Sequence, residues 1–304
     1  MKGVTLLISL LVISTINLEA QDMFSARKLT TGPAQKGFPT WSPDGKYIVY
    51  QYADRYDTTG SNGLWKISAE GKGAVQIFSG IAEHPKWSPD GKYIVFDADT
   101  GRSIKMIPAA GGEATEFLPD TIQIKNGGLP CWSPDSKRIA FVDSGRSLFV
   151  HSIRNGETAP LFSREGILPL AGCWTGDGKW VLVALMNMRS RKSTIWKISA
   201  DGEEEEQITG HHENFYRHLA LSPDGSMLIY AALRGRHLGL YVMPAGGGNS
   251  LPLAVAPDAH NEGPSWSPDG SRIAFNSTRS GFFDVWIMDL DTGLLEKRLK
   301  LINK

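Results

Sequence analysis

Five of the seven histidines, His84, His211, His212, His218 and His260, fall in short polar stretches. The same stretches hold Glu83, Asn126, Glu213, Tyr216, Arg217, Asn261 and Glu262. Imidazole, guanidinium and carboxylate groups brought to one place can bind an anion, ligate a metal or move a proton. A second set is basic: Arg189, Arg191 and Lys192, then Arg234, Arg236 and His237. Such a sector attracts a carboxylate or phosphate. A solvated rim of loops carries the same residue types, so composition alone does not choose between the two.

Other chemistry has no sequence signature. Glu213 is followed by Asn214-Phe215-Tyr216, so no His-Glu-x-x-His zinc motif is formed. His84, His218 and His260 lack any ligand spacing, and no metal is expected. There is no Gly-x-Ser-x-Gly nucleophile turn. Gly246-Gly247-Gly248 lacks the lysine and helix of a phosphate loop, and Asp97-Ala98-Asp99 and Asp289-Leu290-Asp291 are too short for a calcium loop. No catalytic residue is assigned and no cofactor is expected. The run Glu203 to Glu206 reads as a solvated turn, and Asn276-Ser277-Thr278 fits a glycosylation sequon.

The elements that must position these residues repeat. Trp41-Ser42-Pro43-Asp44-Gly45 recurs at Trp87 to Gly91, Trp132 to Ser136, Trp174 to Gly178, Leu221 to Gly225 and Trp266 to Gly270. The aspartates 44, 90, 135, 177, 224 and 269 are 46, 45, 42, 47 and 45 residues apart, the period of a repeat architecture. Each turn precedes a β-rich stretch, such as Lys46 to Tyr50 or Arg272 to Phe275. A third strand follows, such as Leu64 to Ile67, then a Gly-rich turn and a short fourth strand, such as Gln207 to Thr209. No helical period is seen. One such sheet cannot bury both faces, whereas six in a ring can. The fold class is therefore all-β: a six-bladed β-propeller with four-stranded antiparallel blades. The repeat aspartates read as turn formers and the tryptophans as inter-blade packing. Ala26 to Thr30 reads as a lone fourth strand, and Leu295 to Leu299 as a rival fourth strand of the last blade.

Strand alternation puts the inter-blade crossings and the loops after the second strands on one face. The expected ligand site there comprises Glu83, His84, Asn126, Tyr216, Arg217, His218, His260, Glu262, Arg189 and Arg234. Phe38 and Ala171 hold the matching places before Trp41 and Trp174, so the polar ring is lopsided.

The recurrent Trp-Ser-Pro-Asp-Gly run over Thr40 to Leu299 resembles the TolB-like β-propeller family. That resemblance implies a periplasmic or secreted propeller, usually a binding module. The family's translocation member carries an α/β domain ahead of its propeller. Here about 20 residues separate the expected cleavage point from Trp41, so contacts made by that domain are not expected. Related propellers include lyases acting on acidic sugars.

Met1-Lys2, the apolar stretch Leu6 to Ile13 and the small residue Ala20 form the order of a secretory signal peptide. The expected domains are a signal peptide over 1–20 and a single propeller over 21–304, with a periplasmic or secreted location. The 32 basic and 32 acidic residues cancel, which argues against nucleic-acid partners. No segment has the length to insert in a membrane. Two cysteines, Cys131 and Cys173, precede repeat tryptophans in consecutive blades. They point in the same rotational sense rather than toward each other, so two free thiols are expected. The leading functional reading is an exported, non-catalytic binding module recognising a protein or glycan or anionic ligand on the polar face. The rival is a lyase or hydrolase acting on an acidic saccharide there. A scaffold without a pocket is the third.

Overall fold

The structure is a computed structural model that describes residues 25–116, 118, 122, 128–143, 146–210 and 216–304, without the side chain of Ala171. Among the described residues, six four-stranded antiparallel sheets follow one another in the chain. They are built from 35–79, 82–116, 131–162, 167–207, 216–254 and 261–289 and are numbered blades 1 to 6. The first strands of neighbouring blades touch one another around the ring, which makes them the inner strands. This is the expected six-bladed propeller.

The ring is closed by its N-terminus. Ala26–Lys28 pairs antiparallel with Asp284–Asp289 and supplies the outer strand of blade 6. Beside it Lys36 of blade 1 and Asp284 of blade 6 form an ion pair at 3.3 Å, with side chains only 2 % and 3 % exposed. The Lys36 amine also donates to the carbonyls of Gly32 and Ala34. Asp284 accepts from Thr30 and Ser280 as well. The expectation of a strand at Leu295 to Leu299 is corrected: Thr292–Ile302 is an α-helix. Asp291 caps it by accepting from the Leu294 N–H at 2.9 Å. Leu295 and Leu299, four residues apart, bury one face between blades 5 and 6, while Leu294 and Leu301 stay exposed.

The repeat does the structural work expected of it. In each turn the hydroxyl of the first residue donates to the aspartate at 2.5–2.6 Å. Each aspartate also accepts the backbone N–H two residues on. For Asp269 the Ser267 hydroxyl and the Ser271 N–H hold the carboxyl down at about 2. Seven residues after the tryptophan position stand Ile48, Ile94, Ile139, Val181, Leu228 and Ile273, all at most 1 % exposed. Truncating one to alanine would cost about 2–5 kcal/mol. Indoles reach back across the blade boundary. Trp132 donates to the Lys86 carbonyl, Trp174 to that of Cys131 and Trp266 to that of Ala220. Arg138 covers Trp174 at 4.5 Å and Arg272 covers Trp41 at 4.7 Å. Leu221 breaks this pattern, and opposite it blade 4 carries Trp180 where blades 3 and 6 carry Arg138 and Arg272.

Both thiols are free; Cys131 is buried and Cys173 half-buried. Cys131 packs with Trp174 between blades 3 and 4, and Cys173 packs between blades 4 and 5. A sheet therefore stands between them. Burial pushes both thiols up to about 12, so they behave as small apolar groups.

Candidate functional site on the propeller axis

A bulge in the inner strands builds the site. The residue three before the tryptophan position has a left-handed backbone in five blades: Phe38, His84, Leu129, His218 and Gly263, with φ between 48° and 61°. Strand register slips at that point in blades 1, 2, 5 and 6. A left-handed non-glycine residue costs ~1–3 kcal/mol, so its surroundings must hold it. Two holders are second-strand side chains of the preceding blade. Asn276 accepts from the Phe38 N–H at 3.2 Å. Asp97 accepts from the N–H groups of Gly128 and Leu129 at 3.1 and 3.0 Å. The bulge brings Phe38, His84, Leu129 and His218, with Lys86, around a cavity of about 20 Å³ on the axis. That is room for about one water molecule or one ligand atom group.

The cavity wall is aromatic and basic. The ring of Phe38 lies 4.0 Å from that of His84 and 5.2 Å from that of His218, and the two imidazoles are 6.0 Å apart. His84 Nδ1 sits 2.8 Å from Asp97 Oδ2, and Asp97 is almost wholly buried. This fixes the His84 ring and leaves Nε2 as its second polar atom. His218 differs. Its Nδ1 lies 3.6 Å from Glu262 Oε2, and neither atom has a hydrogen-bond partner. Burial, then the Arg217 charge, holds the His218 pKa well below the usual value, which favours the neutral imidazole. Arg217 Nη1 is 3.9 Å from the same Glu262 oxygen. Gln51 donates to Glu83 at 3.2 Å. Burial also lowers the Lys86 amine. No carboxylate among the described residues lies within ion-pair distance of Lys86. The axis thus offers amine and imidazole groups to an acidic group, with an aromatic wall beside them.

The expected site residues separate. His84, Arg217, His218 and Glu262 do gather, but as inner-strand residues rather than crossing loops, whereas Glu83, also on an inner strand, contacts Gln51 of blade 1. His260 is elsewhere: its Nδ1 accepts from the Leu238 N–H and its ring packs on His237. Tyr216 and Arg234 line a different cleft, between blades 4 and 5. Arg189 is exposed in the hairpin after Asn187. Asn126, His211, His212 and Glu213 lie outside the described residues. Sequence reasoning missed Phe38, Lys86 and Asp97. The place of Phe38, three before a repeat tryptophan, was its signal, and Lys86 stands immediately before one, as the cysteines do. Asn276, read as a sequon, is 1 % exposed and holds the Phe38 bulge.

Comparison with known proteins agrees with the fold. A solved structure assigned as TolB, from Agrobacterium tumefaciens, is 21 % identical, with a TM-score of 0.63 over 88 % of this chain and 98 % of that one. Oligogalacturonate lyase from Vibrio parahaemolyticus is 13 % identical, with a TM-score of 0.60 over 87 % of this chain and 93 % of its own. An uncharacterized protein of Agrobacterium fabrum is 27 % identical over 172 residues. That match spans 55 % of this chain and only 56 % of the relative. The model of the TolB beta propeller domain matches residues 128–294, more than half of the 304 residues. The chain belongs to the TolB β-propeller domain family.

Proposed function

We propose that this chain is an exported binding module that captures a protein segment or glycan by an acidic group seated at the mouth of the axis. One observation carries the reading. Lys86 and His84 face the axial cavity, and no acidic side chain among the described residues pairs with the amine. A carboxylate entering there gains charge-assisted hydrogen bonds. Phe38 supplies an apolar wall for the group that bears it. Arg217, His218 and Glu262 form the adjoining rim. The family and the charged, apolar and small order of residues 1–20 support a periplasmic or secreted location. N-terminal sequencing of the mature protein should begin near Gln21.

The test is capture of envelope proteins and of an acidic-glycan array by the immobilised chain. Arg217→Ala with His218→Ala, and separately Lys86→Met, should abolish capture while the unfolding midpoint stays near that of the wild type. Undiminished capture by both folded variants would refute the axial reading. A second reading, an enzyme acting on an acidic saccharide, draws on the His84–Asp97 pair, since a carboxylate-held imidazole is a general base. Incubation with polygalacturonate, followed by the absorbance of unsaturated products, decides it. Turnover lost in His84→Ala would establish the enzyme.

A further inference from the structure

We infer that the cleft between blades 4 and 5 is a second ligand site, separate from the axis, for a small hydroxylated carboxylate about the size of one acidic sugar residue. The cleft measures about 500 Å³, within the usual range for small-molecule pockets of ~300–1,000 Å³. Its polar lining is Thr209, Tyr216, Tyr230, Arg234, Asn249 and Ser250.

Arg234 is the anchor. Its guanidinium lies 4.0 Å from the centre of the Tyr241 ring, and Nη2 donates to the Ser250 hydroxyl at 3.2 Å. Stacking and one hydrogen bond fix the plane of the fork. No carboxylate among the described residues pairs with it. A planar guanidinium has five N–H donors, and a carboxylate takes two of them side by side. Among the described residues this cation is held oriented with no carboxylate beside it, and a ligand carboxylate can take that place.

The tyrosines provide the second, independent observation. Tyr216 is 2 % exposed and lines the cleft, and no described residue takes its hydroxyl. Tyr230, equally buried, packs edge-on against Tyr216 and lines the cleft with Ser250. The Tyr216 hydroxyl opens on the cleft, where a ligand hydroxyl can bond to it. The side-chain oxygen of Asn249 and the Thr209 hydroxyl add further polar reach, while the amide nitrogen of Asn249 is held by the Ile302 carbonyl. An acetate-sized ligand would leave these groups unused. A neutral sugar would leave the Arg234 fork unused.

Calorimetric titration of the whole chain with D-glucuronate, D-glucose and acetate tests this. Glucuronate should bind saturably, and glucose and acetate at least tenfold more weakly. Arg234→Met, which keeps the stem but loses the fork, should weaken glucuronate at least tenfold. Arg234→Lys should recover only part of that loss, and Tyr216→Phe should weaken binding severalfold. Unfolding midpoints identify any variant that has lost its fold. Absence of saturable glucuronate binding in the millimolar range would overturn the proposal, as would equal binding by folded Arg234→Met and Arg234→Lys. The same titration of Lys86→Met separates the two sites: loss of glucuronate binding there would put the ligand on the axis and overturn the cleft assignment.

Discussion

The boundary between blades 6 and 1 and the boundary between blades 4 and 5 use the same repeat and end differently. At the first, Trp41 is buried under Arg272, Lys36 and Asp284 pair out of water, and the N-terminal strand seals the edge. At the second, Leu221 replaces the tryptophan and Trp180 faces it. Cavities of about 500 and 430 Å³ share Ile208 as a wall. One boundary spends its side chains on closure. The other leaves room, and Arg234, with no carboxylate partner among the described residues, lies in that room. A repeat fold keeps its ring together with the copies that obey the pattern, so the copy that departs from it is the place to look for a ligand.

Substitutions can break this contrast, beginning with the largest effect. Asp284→Ala strands the buried Lys36 ammonium and should lower stability by about 3–5 kcal/mol in urea unfolding. A loss below ~1 kcal/mol would mean that the pair plays little part in closure. Trp174→Leu copies the blade 5 residue into blade 4. It removes a buried indole and its bond to the Cys131 carbonyl, and should cost about 2–3 kcal/mol. The reverse exchange, Leu221→Trp, should occupy part of the 430 Å³ cleft and raise stability by about 1 kcal/mol, as partial cavity filling does. A clear destabilisation would show that Trp180 already occupies the space.

The smallest effect is in pH dependence. The folded pKa of His218 is depressed, so its neutral form contributes stability that is present above the ordinary histidine value of about 6.5. That contribution is lost as pH falls toward the lower folded value. His218→Phe should flatten the fall in melting temperature on acidification below about pH 6.5. Phe38 holds the matching left-handed place in blade 1, so the backbone accepts the ring. An unchanged acid limb would assign the dependence to other groups.

How much could be read in advance follows from the range of each interaction. The Ser-Pro-Asp-Gly turn is local chemistry, a carboxylate that accepts from one hydroxyl and one backbone N–H while that hydroxyl accepts a second N–H, so six copies at a near-constant spacing gave both the blades and their number. The helix at Thr292–Ile302 was missed although Leu295 and Leu299 carry its spacing, because a short apolar run fits a strand as well until something packs on it. The site was half legible. Polar residues beside the tryptophans marked the right strands, since departures from a repeat are visible in a linear text. Their grouping was not. His84 and His218 meet at 6.0 Å although 134 positions separate them, whereas Tyr216, immediately before Arg217, turns away into another blade boundary. Alternation along a strand sends neighbours to opposite sides. The left-handed bulge, held by Asn276 and Asp97 from preceding blades, then selects which of them reach the axis. The sequence by itself determined the repeat, its turns and the residue types available. Only the closed ring decided which of them share a cavity, because the groups that hold the Phe38 and Leu129 bulges come from another blade.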